Sequence, residues 1–272
     1  MNIPNLKMNN EQKIPQVGLG LWMNKDGEAC RQSVKFALEA GYRHFDSAQA
    51  YDNEQFLGEA IKKGGVPREE LFITTKILND NQWWNDIIPS FEKSLENLQT
   101  DYVDLLLLHF PVTETRRPAW RRMEEIYKSG RAKSIGVSNY MIHHLEELLK
   151  EGDIKPAVNQ VELHVFLQQP ELVKFCQKND IVVEAYSPLA HGNGMDDPVL
   201  ASIAKKHGKS TAQIMIRWCI EMGTVPLPKS THQGRIKENI DIFNFKLDKQ
   251  DMADIAKLDR DFRTCWDPTH VP

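Results

Sequence analysis

VDLLLLHFPVTETRRPAWRRMEEIYKSGRAKSIGVS, residues 103–138, changes character three times along its length. Val103 to His109 is a brief apolar run and reads as a strand. Ala119 to Ser129 is amphipathic at helical spacing, and Gly130 follows it where a helix C-cap calls for positive φ. Ser134 to Ser138 is again short and contains β-branched Ile135 and Val137. A strand, a helix and a second strand in this order form the unit from which parallel α/β proteins are built.

Outward from that unit the alternation continues almost to both ends. Further strands are predicted at Gln16 to Gly20, Arg43 to Asp46, Leu71 to Lys76, Ala157 to Leu163, Val182 to Ser187 and Thr224 to Pro228. With the two already named that makes eight, the count of a closed barrel. Helices are predicted at Gly27 to Ala40, Glu54 to Lys63, Asn85 to Leu98, Met141 to Leu149, Gln169 to Lys178, Thr211 to Glu221 and Arg235 to Ile240, with Gly41 and Gly208 as further C-caps. Two more, Pro198 to His207 and Lys249 to Leu258, lie outside the eightfold count. The expected fold is therefore an α/β (β/α)8 TIM barrel with a short N-terminal hairpin and extra C-terminal helices. No Pro/Gly/Ser-rich linker, repeat or low-complexity stretch interrupts it, so residues 1–272 are expected to form a single domain.

Composition narrows the function. The chain has 272 residues, 41% hydrophobic and 26% charged, with a net charge of −4. That supplies enough apolar side chain for a core and argues against disorder. Without a basic block, nucleic acid and anionic membrane are unsuitable partners. The longest apolar run, Val103 to Phe110, falls far short of the ~20 residues that span a bilayer. MNIPNLKMNNEQKIP shows no secretory signal, and Cys30, Cys176, Cys219 and Cys265 have no C-x-x-C spacing. The expectation is a cytoplasmic protein with reduced thiols and no metal.

In a parallel barrel, functional groups gather where strands end, because the βα loops converge there. The polar strand ends are Asp46, Lys76, His109, Ser138 with Asn139, Gln160 with Glu162, Tyr186 with Ser187, and Lys229 with Ser230; Tyr51 follows Asp46 in a loop. A lysine beside a tyrosine stabilises the phenolate and is expected to lower a pKa that starts near ~10, making Tyr51 a general acid. Asp46 would keep Lys76 charged, and His109 would hydrogen-bond a carbonyl oxygen. No side chain supplies a hydride, so a cofactor must. Taken singly, each of these residues has a structural reading: a cap for Asp46, a surface charge for Lys76, a loop aromatic for Tyr51, a core histidine for His109. Their joint placement is what favours catalysis.

The segments GYRHFDSAQAYDNEQFLGEAI, LLLLHFPV, SIGVSNY, VNQVELH, AYSPLA and LPKSTHQGRIKEN, in this order, resemble the aldo-keto reductase family over nearly the whole chain. AHGNGMDDPVL and IAKKHGKSTAQIMIRW are similar to its prokaryotic branch that includes 2,5-diketo-D-gluconate reductases. The resemblance implies NADPH-dependent reduction of aldehydes and ketones, with small polar ketoacids, dicarbonyls and reactive aldehydes as substrates, by a monomer. It implies Tyr51, His109, Asp46 and Lys76 as the catalytic tetrad, Tyr51 being the proton donor. Ser138, Asn139 and Gln160 match the nicotinamide carboxamide contacts, Tyr186 the stacking aromatic, and Ser187 and Leu189 the pyrophosphate strap. Lys229, Ser230, Thr231, Arg235, Glu238 and Asn239 match contacts to the adenosine 2′-phosphate and adenine, which favours NADPH over NADH. Trp22 is expected against both cofactor and substrate, and Tyr51, His109, Phe110 and Trp84 against substrate.

Several residues depart from the family pattern. Phe110 stands where many members have Trp, Leu21 and Met23 make the pocket floor more apolar, and the short tail RTCWDPTHVP is expected to leave the mouth open. His143-His144 with Glu146-Glu147 lack H-E-x-x-H spacing and read as a solvated helix face; His191 reads as exposed near the strap. Two other functions are weighed. A Mg²⁺-dependent lyase using Asp46, Asp104 and Glu162 is disfavoured because Asp104 is placed inside a strand and away from its C-terminal end. A non-catalytic, NADPH-sensing regulatory subunit is disfavoured by the intact tetrad.

Overall fold

The computed structural model describes residues 3–272. Its strands are β1 (Asn5–Lys7), β2 (Lys13–Pro15), β3 (Leu19–Gly20), β4 (His44–Asp46), β5 (Phe72–Ile77), β6 (Leu105–Leu108), β7 (Ile135–Ser138), β8 (Val158–Glu162), β9 (Val182–Tyr186) and β10 (Val225–Pro226). Its α-helices are α1 (Gly27–Ala40), α2 (Glu54–Gly64), α3 (Ile87–Leu98), α4 (Arg116–Lys128), α5 (Ile142–Glu151), α6 (Pro170–Lys178), α7 (Pro198–His207), α8 (Thr211–Glu221), α9 (Gln233–Ile240) and α10 (Lys249–Ala256). β1 and β2 form an antiparallel hairpin, and β3 to β10 form one sheet in which each strand lies parallel to the next.

The ring closes where β10 meets β3. Pro226 and Pro228 have no N–H to give and serve there as acceptors only: Gly18 N–H donates to the Pro226 carbonyl and Gly20 N–H to that of Pro228, both at 3.1 Å. Glycine is required at this seam, since a Cβ on Gly20 would lie 2.9 Å from the Leu227 carbonyl oxygen and one on Gly18 would meet the His44 ring at 2.8 Å. The result is the expected (β/α)8 barrel, with α7 and α10 as the additional helices. Both seam strands are shorter than the sequence pattern predicts, because only isolated bonds reach across it. α4 begins earlier than expected, at Arg116; Pro118 lies in its first turn, where a missing N–H costs nothing.

Each helix turns one stripe inward. In α1 the buried positions are Cys30, Ser33, Val34, Ala37 and Leu38, an i, i+3, i+4, i+7, i+8 pattern, with Asp26 accepting from Ala29 N–H at its start and Gly41 at φ 99° ending it. Inside the barrel, Met8 and Ile14 of the hairpin pack against Phe72, Leu105, Leu107, Ala157, Val158 and Val225, closing the N-terminal end with apolar side chains. Asn9 and Asn10 fasten that plug by donating to the carbonyls of Pro156 and Lys133. Asp104 belongs to this closed end: it precedes β6, accepts from Ile73 N–H at 2.9 Å and pairs with Arg68. It is therefore remote from the mouth. Among the described residues no helix is long and apolar enough to cross a membrane.

Candidate active site

Alternation along a strand sends every second side chain into the barrel. From β4 this brings in Asp46, from β5 Lys76, from β8 Gln160 and Glu162, and from β9 Glu184 and Tyr186. Lys76 is fully buried, and its Nζ donates to Asp46 Oδ1 at 2.7 Å and Oδ2 at 2.9 Å, to the Ser47 carbonyl at 2.9 Å and to the Tyr51 hydroxyl at 3.2 Å. His109 stands edge-on to Tyr51 with ring centroids 5.7 Å apart. The four residues proposed as a tetrad are thus gathered in one place.

Tyr51 ends a 3-10 turn, Gln49–Tyr51, that is held from two sides. Gln49 donates to Ser90 and Ser94 and accepts from Leu78 N–H and Asn81. Asn53 accepts from the Ser47 hydroxyl at 2.7 Å and donates to the carbonyls of Leu21 and Asn24. Neither Gln49 nor Asn53 stands out in the sequence; their position flanking Tyr51 within GYRHFDSAQAYDNE is the only signal.

The electrostatics correct one expectation. Burial is the largest influence on Tyr51 and, with Asp46, pushes its pKa above the ordinary value, against the lowering effect of Lys76. Tyr51 is therefore a firmly protonated phenol. Burial opposes the charge on Lys76, but Asp46 and Tyr51 outweigh it and its pKa is raised. Burial, then the Lys76 charge, holds His109 down at about 3, so its ring is neutral at pH 7.

Around this core the remaining candidates fall into three groups. Ser138, Asn139, Gln160 and Tyr186 line the rim together: Asn139 donates to Ser138 Oγ and the His109 carbonyl, Tyr186 donates to Asn139 Oδ1 at 2.8 Å, and Ser138 donates to the Gln160 carbonyl. Asn139 and Ser187 both take left-handed backbone, φ 65° and 49°, the unusual conformation that strand-end sites often store. Ser187 shares a 3.0 Å hydrogen bond with exposed His191, whose ring lies 5.3 Å from that of Trp22; Leu189 is half-buried in the same loop.

At the second place, β10 leads into α9. Lys229 and Arg235 are exposed there, Ser230 is buried with its Oγ accepting from His232 N–H, Thr231 is half-buried and Asn239 is buried. Glu238 accepts a hydrogen bond from Ser210 at the start of α8. Two cations and a helix N-terminus on one surface form a setting for a phosphate.

The third group is the aromatic rim. Phe110 packs on Trp266 with centroids 3.9 Å apart. Trp84 lies beneath the Arg122 guanidinium at 4.4 Å, a contact with α4 and not with the tetrad, and Trp83 is exposed.

The tail is more ordered than its length suggests. Glu162 accepts from Thr264 N–H at 2.7 Å, Thr264 Oγ1 at 2.5 Å, Cys265 N–H at 3.1 Å and His164 at 3.1 Å. Burial raises its pKa, but the bonds from His164 and Thr264 outweigh this and hold it low. Further on, His143 and His144 both donate to the Val271 carbonyl, at 2.8 and 2.9 Å. His144 is buried and Nδ1 accepts from Met141 N–H. His144 departs from the solvated helix face expected of this cluster, whereas His143 and Glu146 are exposed as that reading has it, and the tail is pinned on both sides of Trp266. Sequence offers no pairing signal for bonds spanning more than a hundred residues.

Comparison with known proteins agrees with this architecture. The profile described as Aldo/keto reductase family matches residues 16–197 and 195–260. The chain is 47% identical over 266 residues to the glyoxal reductase of Bacillus subtilis (strain 168), covering 98% of this chain and 96% of that protein. It is 43% identical over 267 residues to methylglyoxal reductase DkgA of Escherichia coli (strain K12), covering 97% and 96% respectively. Among solved structures it is similar to an aldo/keto reductase from Brucella melitensis at TM-score 0.92 and 45% identity, covering 95% of this chain and 100% of that one. It is also similar to a Bombyx mori aldo-keto reductase in complex with NADP at TM-score 0.91 and 36% identity, covering 97% and 95%.

Proposed function

The chain belongs to the aldo/keto reductase family, and from that membership we propose that it reduces small aldehydes, dicarbonyls and polar ketoacids to alcohols with NADPH, Tyr51 giving the proton. The observation that carries this reading is the Lys76 ammonium, bonded at once to Asp46 and to the Tyr51 oxygen. Because Lys76 donates to that oxygen, the phenol's own proton remains available for a substrate. Once it leaves, the ammonium neutralises the phenolate in place. His109, neutral at pH 7, carries one ring N–H with which to orient and polarise the carbonyl, but it has no surplus proton to transfer. Tyr51 is thus the acid and His109 the orienting donor.

The residues fit a nicotinamide dinucleotide phosphate. Gln160 spends its amide hydrogens on two carboxyl groups, Asp46 Oδ2 at 2.8 Å and Glu184 Oε2 at 2.9 Å, leaving its side-chain carbonyl oxygen as an acceptor for a carboxamide. Ser138 and Asn139 share that rim, and Tyr186 offers its ring for stacking. Lys229 and Arg235 supply two cations for the 2′-phosphate that separates NADPH from NADH, with Ser230, Thr231, Glu238 and Asn239 beside them. When bound, the reduced nicotinamide supplies the hydride that no side chain can. Trp22, Phe110 and Trp266 offer aromatic surface for a substrate. The names of the glyoxal and methylglyoxal reductases support small dicarbonyls as the substrate class. The same reading places a monomer in the cytoplasm, in keeping with four unpaired cysteines.

The test is Tyr51→Phe. Removing the hydroxyl preserves the ring, so reduced cofactor should bind as before while kcat for an aldehyde falls by roughly 10²- to 10⁴-fold. Turnover within tenfold of the parent would remove Tyr51 from the role.

A further inference from the structure

Glu184 is an acid that the reaction as described does not use. It is fully buried in β9 and lies in register with Gln160 of β8. One amide nitrogen, Gln160 Nε2, donates both to Glu184 Oε2 and to Asp46 Oδ2, so two carboxyl groups share a single bridge in the barrel interior. The other oxygen, Glu184 Oε1, is buried without a hydrogen-bond partner among the described residues and faces His44 Nε2 at 3.4 Å.

The groups facing Glu184 are His44 and Asp46 from β4, Lys76 from β5 and Gln160 from β8, with Thr74 of β5 bonded to His44 behind them. Of these, His44 is held neutral, since burial above all pushes its imidazole down to about 3. Asp46 and Lys76 cancel one another. An ionised Glu184 would leave this dry layer with one uncompensated negative charge and an orphaned oxygen, whereas a neutral carboxylic acid has a proton to place on Oε1. Burial, followed by the Asp46 charge, raises its pKa to about 8, against the opposing effects of Gln160 and Lys76.

We propose that Glu184 is a positioning residue whose ionisation, relayed to Asp46 through the shared Gln160 amide, sets the alkaline limb of carbonyl reduction. The sign follows from charge. A second carboxylate beside Asp46 favours the Lys76 ammonium and disfavours a phenolate at Tyr51, so the phenol becomes a weaker acid and turnover falls as Glu184 loses its proton. This rests on Tyr51 being the proton donor.

Glu184→Gln tests it, because glutamine keeps an acceptor for Gln160 and cannot ionise. The ratio of kcat at pH 9 to kcat at pH 7 should fall about three- to tenfold in the parent and by less than about twofold in the variant. A second readout needs no turnover. A carboxyl whose folded pKa lies above its unfolded value contributes stability at low pH that is lost as pH rises through the folded pKa. The Tm of Glu184→Gln relative to the parent should therefore climb between about pH 5 and pH 8 and then level. Glu184→Met gives the same two comparisons should the glutamine variant fail to fold. Superimposable kcat profiles, or a pH-independent Tm difference, would overturn the proposal. Tyr51→Phe separates the two claims: if it abolishes turnover while the Glu184 profiles coincide, only the coupling fails, and if it stays active, the proton-donor assignment on which the coupling rests fails.

Discussion

Two layers of the same barrel, one alternation step apart, obey different physics. On the floor, Phe72, Leu105, Leu107, Val158 and Val225 meet Met8 and Ile14, and contact is non-directional. Above it, β4, β5, β8 and β9 present Asp46, Lys76, Gln160 and Glu184, joined by hydrogen bonds of 2.7–2.9 Å that admit little rearrangement. β5 carries both Phe72 and Lys76 and β8 both Val158 and Gln160, so a few residues of strand lead from an oily plug to the network around a buried ion pair. The floor tolerates change in shape at a cost in stability. The upper layer tolerates change in shape poorly and change in charge hardly at all.

Lys76→Met should break the contrast most sharply. It keeps the length and removes the ammonium, leaving Asp46 buried without its partner. Such an orphaned charge costs about 3–5 kcal/mol, and kcat should drop on the order of 10³-fold as Tyr51 loses the group that stabilises its phenolate. Thermal melts and kinetics on the same sample check both, and an unchanged pH–rate profile would dissolve the proposed pairing. Leu105→Ala is the counterpart on the floor, one alternation step below the β6 residue that pairs with Lys76. It should cost about 2–5 kcal/mol by denaturant titration while kcat per folded molecule stays near the parent's, because a cavity there moves no member of the ion pair. Comparable loss of kcat in both variants would mean the layers are mechanically coupled.

The smallest expected effect lies outside both layers. Arg235→Ala and Lys229→Gly should each weaken NADPH by about ten- to a hundredfold, from the loss of one charge-assisted bond of roughly 1.5–3 kcal/mol, and barely alter NADH. Titrating each reduced cofactor by quenching of intrinsic fluorescence reads this. Equal weakening of both would show that these cations support the turn into α9 and do not read a phosphate.

Much of this organisation is legible in the chain before it folds. The eight strands, the helix-ending glycines Gly41, Gly130 and Gly208, and the strand-end positions of Asp46, Lys76 and His109 follow from patterns a few residues long, because periodicity and cap preference are local properties. Tyr51 is legible by its place after Asp46 and by the family pattern. Glu184 was within reach, since it stands two positions before Tyr186 on a strand and must share its face.

The relations between distant residues arise only on folding. The direction of the Tyr51 pKa depends on how completely burial outweighs Lys76. The tail's course depends on Glu162 and on His143 and His144, which meet Thr264, Cys265 and Val271 across the mouth. The sharing of one Gln160 amide between Asp46 and Glu184 depends on three strands arriving in register. Which groups stand at each strand end follows from the order of residues alone, because local geometry sets the direction of every side chain. Their partners and protonation states were decided by packing, because dielectric surroundings and hydrogen-bond distances exist only once the barrel has closed.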